Sequence, residues 1–359
     1  MKEVISAKQF AILVFMNTLG TAVVFIPTIA TRYGGENGWV TLILSSIAGL
    51  ATIFIYIKIL DNNNQLNFFQ IIEGLVGQLI AKVIFVLMFL FTYISAIGNV
   101  WALSQFISLQ ILMETPAEII ALITLLSSLI AVRYGIESIS RACEIFFPFT
   151  IVSLVLLTLF VLPEARMENI QPIMQFQQAG TFVGVIPVLA ITFLELFYML
   201  VICTSVNNRK AAKKAFFIGG LLAGFSMTIV TLACIAVLGV GGTLRHTYPI
   251  YVLGQNIRFA NFFERIEVLV AFIWFFTIFF KVCTSIYFLN RTGQHLFNFK
   301  SYKVITIPLT IFAFASAITN FLSVLSDLKL INSTYVVFAL FIGLIIPFIL
   351  AVVRVFKKT

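Results

Sequence analysis

Charge is scarce in this chain. Asp, Glu, Lys and Arg make up 10% of its 359 residues, whereas soluble domains carry about 25%. That shortage, with 61% hydrophobic residues and a mean hydropathy of +1.08, excludes an ordinary soluble domain and identifies a polytopic membrane protein. Histidine is scarcer still: His246 and His295 are the only two, and both are expected in loops on opposite sides of the membrane. The chain lacks HExxH, GxSxG and a phosphate-binding loop, so no zinc protease, serine hydrolase or nucleotide-binding site is indicated. The short inner loops leave no room for an ATP-binding domain. No catalytic residue, metal ligand set or cofactor is expected, and the chain reads as a non-enzyme. Cys143, Cys203, Cys234 and Cys283 lie in or beside apolar stretches without CxxC or Cys/His spacing, which argues against zinc and against a disulfide framework. They read as small buried hydrophobes. The opening MKEVISAKQF has no separate n-region, h-region and cleavage site, so the first apolar run is expected to be a retained span.

A net charge of +9 would suit nucleic acid if the basic residues formed a patch. They fall instead in short clusters between apolar runs, which is a topology signal, and no nucleic-acid partner is expected. Crossing a bilayer takes roughly 20 apolar residues in a helix. Ten candidate spans are expected, at about 9–30, 39–60, 81–110, 117–133, 143–162, 183–203, 215–239, 264–290, 303–323 and 333–355. With the N-terminus inside, 16 of the 23 Lys and Arg fall on the inner face, Lys281 lies within the membrane, and only Arg32, Arg166, Arg245, Arg258, Arg265 and Lys329 lie outside. An even number of spans then puts both termini inside.

Two connections are more than turns. Residues 62–82 place Phe68, Phe69, Ile72, Leu75, Val76 and Leu79 at helical spacing, with Gln70, Glu73 and Gln78 opposite, and predict an amphipathic helix on the inner surface. The outer segment at about 240–263, rich in Gly, aromatic and polar residues, is either a cap over a cavity or a passive connector.

Ten spans divide into two sets of five. Gly20 and Pro27 interrupt the first span, and Gly184 and Pro187 interrupt the sixth. Interrupted helices at matching places predict an all-α, 5+5 inverted-repeat transporter fold with broken helices 1 and 6 and a site near mid-membrane. Residues 1–359 then form a single transmembrane domain. Its first repeat covers about 9–162 and its second about 183–323, with final helices to 355. Gly220 and Gly224 in the seventh span predict a close helix–helix contact.

A broken helix exposes N–H groups at one half and C=O groups at the other, which suits a ligand with both a carboxylate and an ammonium group. Asn17, Thr18, Gly20 and Thr21 cluster at the first break, and Thr192, Phe193 and Glu195 follow the second. The competing reading is that the threonines bond only to their own helix carbonyls. Glu195 and Lys281 are charges deep in apolar stretches, each costing roughly 3 kcal/mol on insertion scales, so they are expected to face a cavity or each other. They fall at similar depth in the sixth and eighth spans. Three roles stay open for them: a static ion pair, a proton-responsive carboxylate, or contacts to a ligand. Thr277, Lys281 and Thr284 form a polar stripe on the eighth span. Tyr93 in the third span either lines the cavity or packs with its hydroxyl satisfied. Six residues separate it from Asn99, about 600° of helical rotation, so the two do not share a narrow stripe.

The order and spacing of several segments resemble one known family. The opening SAKQFAILVFMNTLGTAVVFIPTIATRYGGENGWV, the outer loop LPEARMENIQPIM, the stretch TYPIYVLGQNIRFANFFERIEVLVAFIW and the charge at Lys281 resemble the spore germination permeases, the B subunits of endospore germinant receptors. The resemblance implies a transporter fold of the amino acid–polyamine–organocation type. It implies a small-molecule germinant, often an amino acid, bound around broken spans one and six beside spans three and eight. It also implies A- and C-type partner subunits and the inner membrane of a spore. A proton- or sodium-coupled amino acid transporter is the alternative. Where family members carry a small residue before the sixth-span Glu and a Pro near the span's inner end, this chain has Leu194 and Ile202-Cys203-Thr204. A leucine there would fill ligand space, so ligand identity does not carry over.

Overall fold

The protein is seen in a computed structural model that describes residues 3–60, 66–172, 179–256, 267–320 and 334–357. Among the described residues eight helical stretches are long and apolar enough to cross a membrane: Ala22–Ile59, Gln78–Gln110, Ala117–Tyr134, Ile136–Glu164, Ala179–Cys203, Arg209–Arg245, Glu267–Leu296 and Thr334–Phe356. Two apolar helices are shorter, Ala7–Leu19 and Lys303–Thr319. The chain is a multi-pass membrane protein, but ten is not the number that length and composition return. Ten spans require the first two helices to be joined as one broken span, the third to stand alone, and Lys303–Thr319 to count as a crossing.

The first span opens with α1 (Ala7–Leu19), whose start is fixed by a capping box between Ser6 and Gln9. Each side chain satisfies a backbone N–H that the helix leaves free. Helix α1 stops at Gly20, which has φ −16° and ψ −102°, and α2 (Ala22–Gly34) resumes after Thr21. Gly20 therefore marks the break, while Pro27 sits inside α2 without ending it. Helix α3 (Gly38–Ile59) follows a tight turn at Gly35–Asn37. Next come α4 (Phe68–Val76) and α5 (Gln78–Gln110). The expected surface helix is α4, and it is shorter than predicted. Gly77, at φ 83°, turns the chain, and Leu79 lies in α5, where it is exposed. Residues 62–65 of the expected helix lie outside the described residues. Phe68, Phe69, Ile72 and Leu75 bury the apolar face of α4 against α5 and the C-terminal helix.

Helices α6 (Ala117–Tyr134) and α7 (Ile136–Val161) complete the first half. The sixth span contains α8 (Ala179–Val183), α9 (Val185–Thr192), a 3₁₀ segment Leu194–Tyr198 and α10 (Met199–Cys203). Gly184 marks a small join between α8 and α9, and Pro187 lies in the first turn of α9. The main interruption comes later than expected, at Phe193–Tyr198. In this span 89% of the most apolar window is buried, against 28% in Ile136–Glu164, so the sixth span runs through the centre of the bundle. Then come α11 (Arg209–Arg245), kinked at Gly239, α12 (Pro249–Asn256), α13 (Glu267–Leu296) and α14 (Lys303–Asn320). The chain ends with α15 (Thr334–Leu340), a π-helical turn Phe341–Ile345, and α16 (Ile346–Phe356). Helix α1 packs on α11, α13 and α7, while α11 also packs on α3.

Phe193 fills the groove between α3 and α11. A Cβ at Gly49 would lie 2.2 Å from its ring, and one at Gly224 3.4 Å. Small residues let these helices approach closely. Gly49→Ala forces the Phe193 ring, and with it the sixth-span break, to shift. Overpacking of this kind costs about 1–3 kcal/mol. The expected result is a lower unfolding temperature in detergent, and unchanged melting would show that the groove can expand freely.

The inner end of the bundle is tied together by its N-terminus. Ile5 donates to the Ser205 carbonyl at 3.1 Å and accepts from Asn207 at 3.3 Å. The Glu3 carboxylate accepts from Tyr287 at 2.7 Å and Tyr302 at 2.6 Å. Burial, and then the bond to Glu3, raise the Tyr302 phenol above its ordinary range, so it stays the donor. His295 lies in the last turn of α13 rather than in a loop. It pairs with Glu73 at 2.8 Å and stacks on Phe69. His246 caps the end of α11. All four cysteines are buried and free.

Candidate functional site

Glu195 and Lys281 meet. Lys281 Nζ is 2.7 Å from Glu195 Oε2, and the two residues are 1% and 4% exposed. Each charge offsets part of the cost of burying the other, and the rest is recovered only when their remaining hydrogen-bonding groups are also satisfied. Here they are satisfied through a closed ring. Lys281 Nζ also donates to Thr21 Oγ1 at 3.0 Å. Thr21 donates to Asn99 Oδ1. Asn99 Nδ2 donates to Ser95 Oγ at 3.3 Å, and Ser95 donates to Glu195 Oε1 at 2.9 Å. Tyr335 donates to the same oxygen. The ring joins the break after α1, the 3₁₀ segment of the sixth span, α5, α13 and α15. The Lys281 ammonium has two acceptors in it, and each hydroxyl or amide donor has one.

The local fold explains the geometry. Ser95 and Asn99 are one turn apart on α5 and face the same way. Glu195 sits in the 3₁₀ segment, where the chain leaves α9 and its side chain can reach both α5 and α13. Thr21 lies in the gap between two half-helices.

A second layer lies one turn further in. Asn17 Nδ2 bridges the Tyr198 hydroxyl at 2.6 Å and Thr284 Oγ1 at 2.8 Å. Ser285 donates to the Tyr198 hydroxyl at 3.2 Å or to the Lys281 carbonyl at 2.8 Å. Outward of the ring stands an aromatic cluster. Phe25, Phe106 and Trp274 lie four, seven and seven residues from Thr21, Asn99 and Lys281, on the outer side of each. Phe106 meets Trp274 at 4.3 Å between ring centroids, and Tyr248, just before α12, packs on Phe25, Phe106 and Trp274. The described part of the outer segment 240–263 thus covers the ring from outside.

Of the sequence candidates, Gly20, Thr21, Glu195, Lys281 and Thr284 come together. Thr18, Thr192 and Thr277 do not join the ring: their hydroxyls bond to the carbonyls of Val14, Val188 and Ile273 in their own helices. Such bonds satisfy a hydroxyl without any partner helix. Phe193 points into the α3–α11 groove instead. Tyr93 turns away from the charges, bonding Ser316 at 2.8 Å and lining an apolar crevice with Ala96, Ile97, Thr310 and Ala313. Leu194 does not fill ligand space at the ring. It packs against Gly343 in the π-helical turn, where a Cβ would lie 2.7 Å from its own, and the Tyr56 hydroxyl sits between the carbonyls of the two residues.

Ser95, Tyr198, Ser285 and Tyr335 were not anticipated as site residues. Ser285 follows Lys281 by one helical turn and Tyr198 follows Glu195 by three residues, so proximity to the two charges was the only available signal.

Residues 4–323 match the family model described as spore germination protein. Among curated proteins, the chain is 24% identical to spore germination protein YndE of Bacillus subtilis (strain 168), over 99% of this chain and 97% of that protein. It is also 24% identical to spore germination protein KB of the same organism, over 99% and 96%. Solved structures share the fold at lower identity. One is MhsT in complex with L-phenylalanine, with TM-score 0.72, 11% identity and all of both chains covered. Another is a Na+-coupled sialic acid symporter in a substrate-bound outward-open state, with TM-score 0.65, 14% identity, 96% of this chain and 80% of that one. A third is MHP1, a nucleobase-cation-symport-1 family transporter, with TM-score 0.64, 12% identity, 94% of this chain and 76% of that one. The architecture is therefore the all-α inverted-repeat transporter fold.

Proposed function

The chain belongs to the spore germination protein family, and from that premise we propose that it is the membrane subunit of a spore germinant receptor. It binds a small-molecule germinant, most simply an amino acid, in the inner membrane of the spore and passes the signal to A- and C-type subunits. The single domain is built from repeats at about 9–162 and 183–323. The observation that carries the reading is the closed polar ring at the junction of two broken spans. It presents one carboxylate and one ammonium, the two groups a zwitterion needs as partners. A ligand carboxylate would take Lys281 and a ligand ammonium would take Glu195, so ligand and internal ion pair exclude each other. Opening the ring separates α13 from the 3₁₀ segment. Binding favours one arrangement over the other, and only such a difference in affinity shifts a population.

Germination of spores carrying Glu195→Gln tests this. The expected result is at least a tenfold weaker response to the germinant, at normal protein levels. A control must be lipid-facing, and Leu200 does not qualify because it is buried. Ile186, 45% exposed in the same span, is the suitable position, and Ile186→Ala should respond normally. An unimpaired Glu195→Gln receptor would remove the ring from the mechanism.

A second reading is supported by the fold neighbours, which include a Na+-coupled symporter and a nucleobase-cation-symport-1 family transporter. In it the same centre carries an amino acid across the membrane, coupled to protons or sodium. Substrate-dependent flux in proteoliposomes favours that reading, and binding without flux favours the receptor.

A further inference from the structure

One of the structural neighbours is a Na+-coupled symporter, so the fold raises the question of a metal cation at the break in the first span. The residues here do not fit one. The oxygen atoms that would hold it are already engaged: Glu195 Oε2 at 2.7 Å and Thr21 Oγ1 at 3.0 Å from Lys281 Nζ. The Thr284 hydroxyl oxygen already accepts from Asn17 Nδ2 at 2.8 Å. The lysine stem fills the space of the break itself, since a Cβ on Gly20 would lie 2.6 Å from Lys281 Cδ. Charge points the same way. Among the described residues the buried charged side chains are Glu195, Lys281 and Arg209, and Arg209 sits at the inner end, where it donates to the Leu66 carbonyl. The ring therefore holds one negative and one positive charge. A free cation added beside the ammonium would be repelled by it, with one carboxylate shared between two cations.

We propose that the Lys281 ammonium is a tethered cation, standing where a free monovalent metal ion would otherwise close the break in the first span. The protein then carries its own counter-ion for Glu195 and folds and functions without Na+. Removing the ammonium should recreate a site for an external monovalent cation, either a metal ion or a small alkylammonium. The inference holds whether the centre senses or transports, and it narrows the second reading above by removing Na+ as the coupling ion.

The test is thermal unfolding of the purified full chain in detergent, in NaCl, methylammonium chloride or choline chloride at equal ionic strength. The wild type should melt at the same temperature in all three. Lys281→Ala should gain a saturable rise in melting temperature with Na+ or methylammonium over choline. If this variant does not survive purification in choline, recovery of folded protein in either of the other salts is the expected result. The double variant Glu195→Gln/Lys281→Ala, which lacks both charges, should show no cation preference. A Na+-specific stabilisation of the wild type overturns the proposal. So does a Lys281→Ala protein that ignores all three salts or is recovered in none, and so does a cation response that persists without Glu195.

Discussion

The Glu195→Gln/Lys281→Met double variant is expected to be more stable than either single variant. Glu195→Gln leaves a buried ammonium facing an amide, and Lys281→Met leaves a buried carboxylate held only by Ser95 and Tyr335. Stranding one member of a buried pair costs about 3–5 kcal/mol, whereas replacing both with neutral groups of similar volume is often close to neutral. Gln retains an oxygen for Ser95 and Tyr335, and Met retains the stem that fills the gap at Gly20. Unfolding in detergent for the wild type, both singles and the double gives the coupling directly. Additive losses would mean that the two charges are not a pair. The double variant also separates stability from signalling: it should fold and fail to respond, because neither charge remains to receive a ligand.

Glu195 and Lys281 were legible because a charge in an apolar span is expensive. Gly20 and Thr21 were legible because a glycine beside hydroxyl residues stood out in the first span. The break itself was partly legible. Pro27 and Pro187 looked like interruptions, yet a proline near a helix start or with its freed carbonyl tolerated need not end the helix. The 3₁₀ segment at Leu194–Tyr198 has no such marker. Its geometry arises from packing: Phe193 locked against Gly49, and Leu194 against Gly343. Those are contacts between residues far apart in sequence.

Hydroxyl side chains were the hardest to assign. Ser95 closes the ring and Thr277 does not, yet both are small hydroxyl residues in apolar helices. A hydroxyl that bonds its own helix carbonyl pays little for burial, so its presence says nothing about a neighbour. Tyr93 failed for a related reason. The calculated rotation separated it from Asn99 correctly, but nothing in the sequence said which of the two faced the charges. The ring chose Asn99, because Thr21 supplies it with a donor and Ser95 with an acceptor.

Trp274→Ala should open the ring to the outside. Trp274 is fully buried, packs edge-on against Phe106 at 4.3 Å, and stands two helical turns, about 10 Å, outward of Lys281 on α13. Loss of a buried Trp typically costs about 3–5 kcal/mol, and here the missing volume lies between the outer face and the charges. The expected readout is chemical. A Thr21→Cys thiol should be unreactive toward a membrane-impermeant reagent added outside while Trp274 is present, and reactive once it is Ala. The four native cysteines are buried and supply a low background. Phe275, next in sequence and 41% exposed, is the control, and Phe275→Ala should leave the thiol protected. A folded Trp274→Ala protein in which the thiol stays protected would show that the Tyr248 region alone seals the outer side. A gain in reactivity would identify the Phe25–Phe106–Trp274–Tyr248 cluster as the barrier a germinant has to displace before it can exchange with the internal ion pair. The energy for that displacement would then have to come from differential binding, because the cluster itself gains nothing by opening.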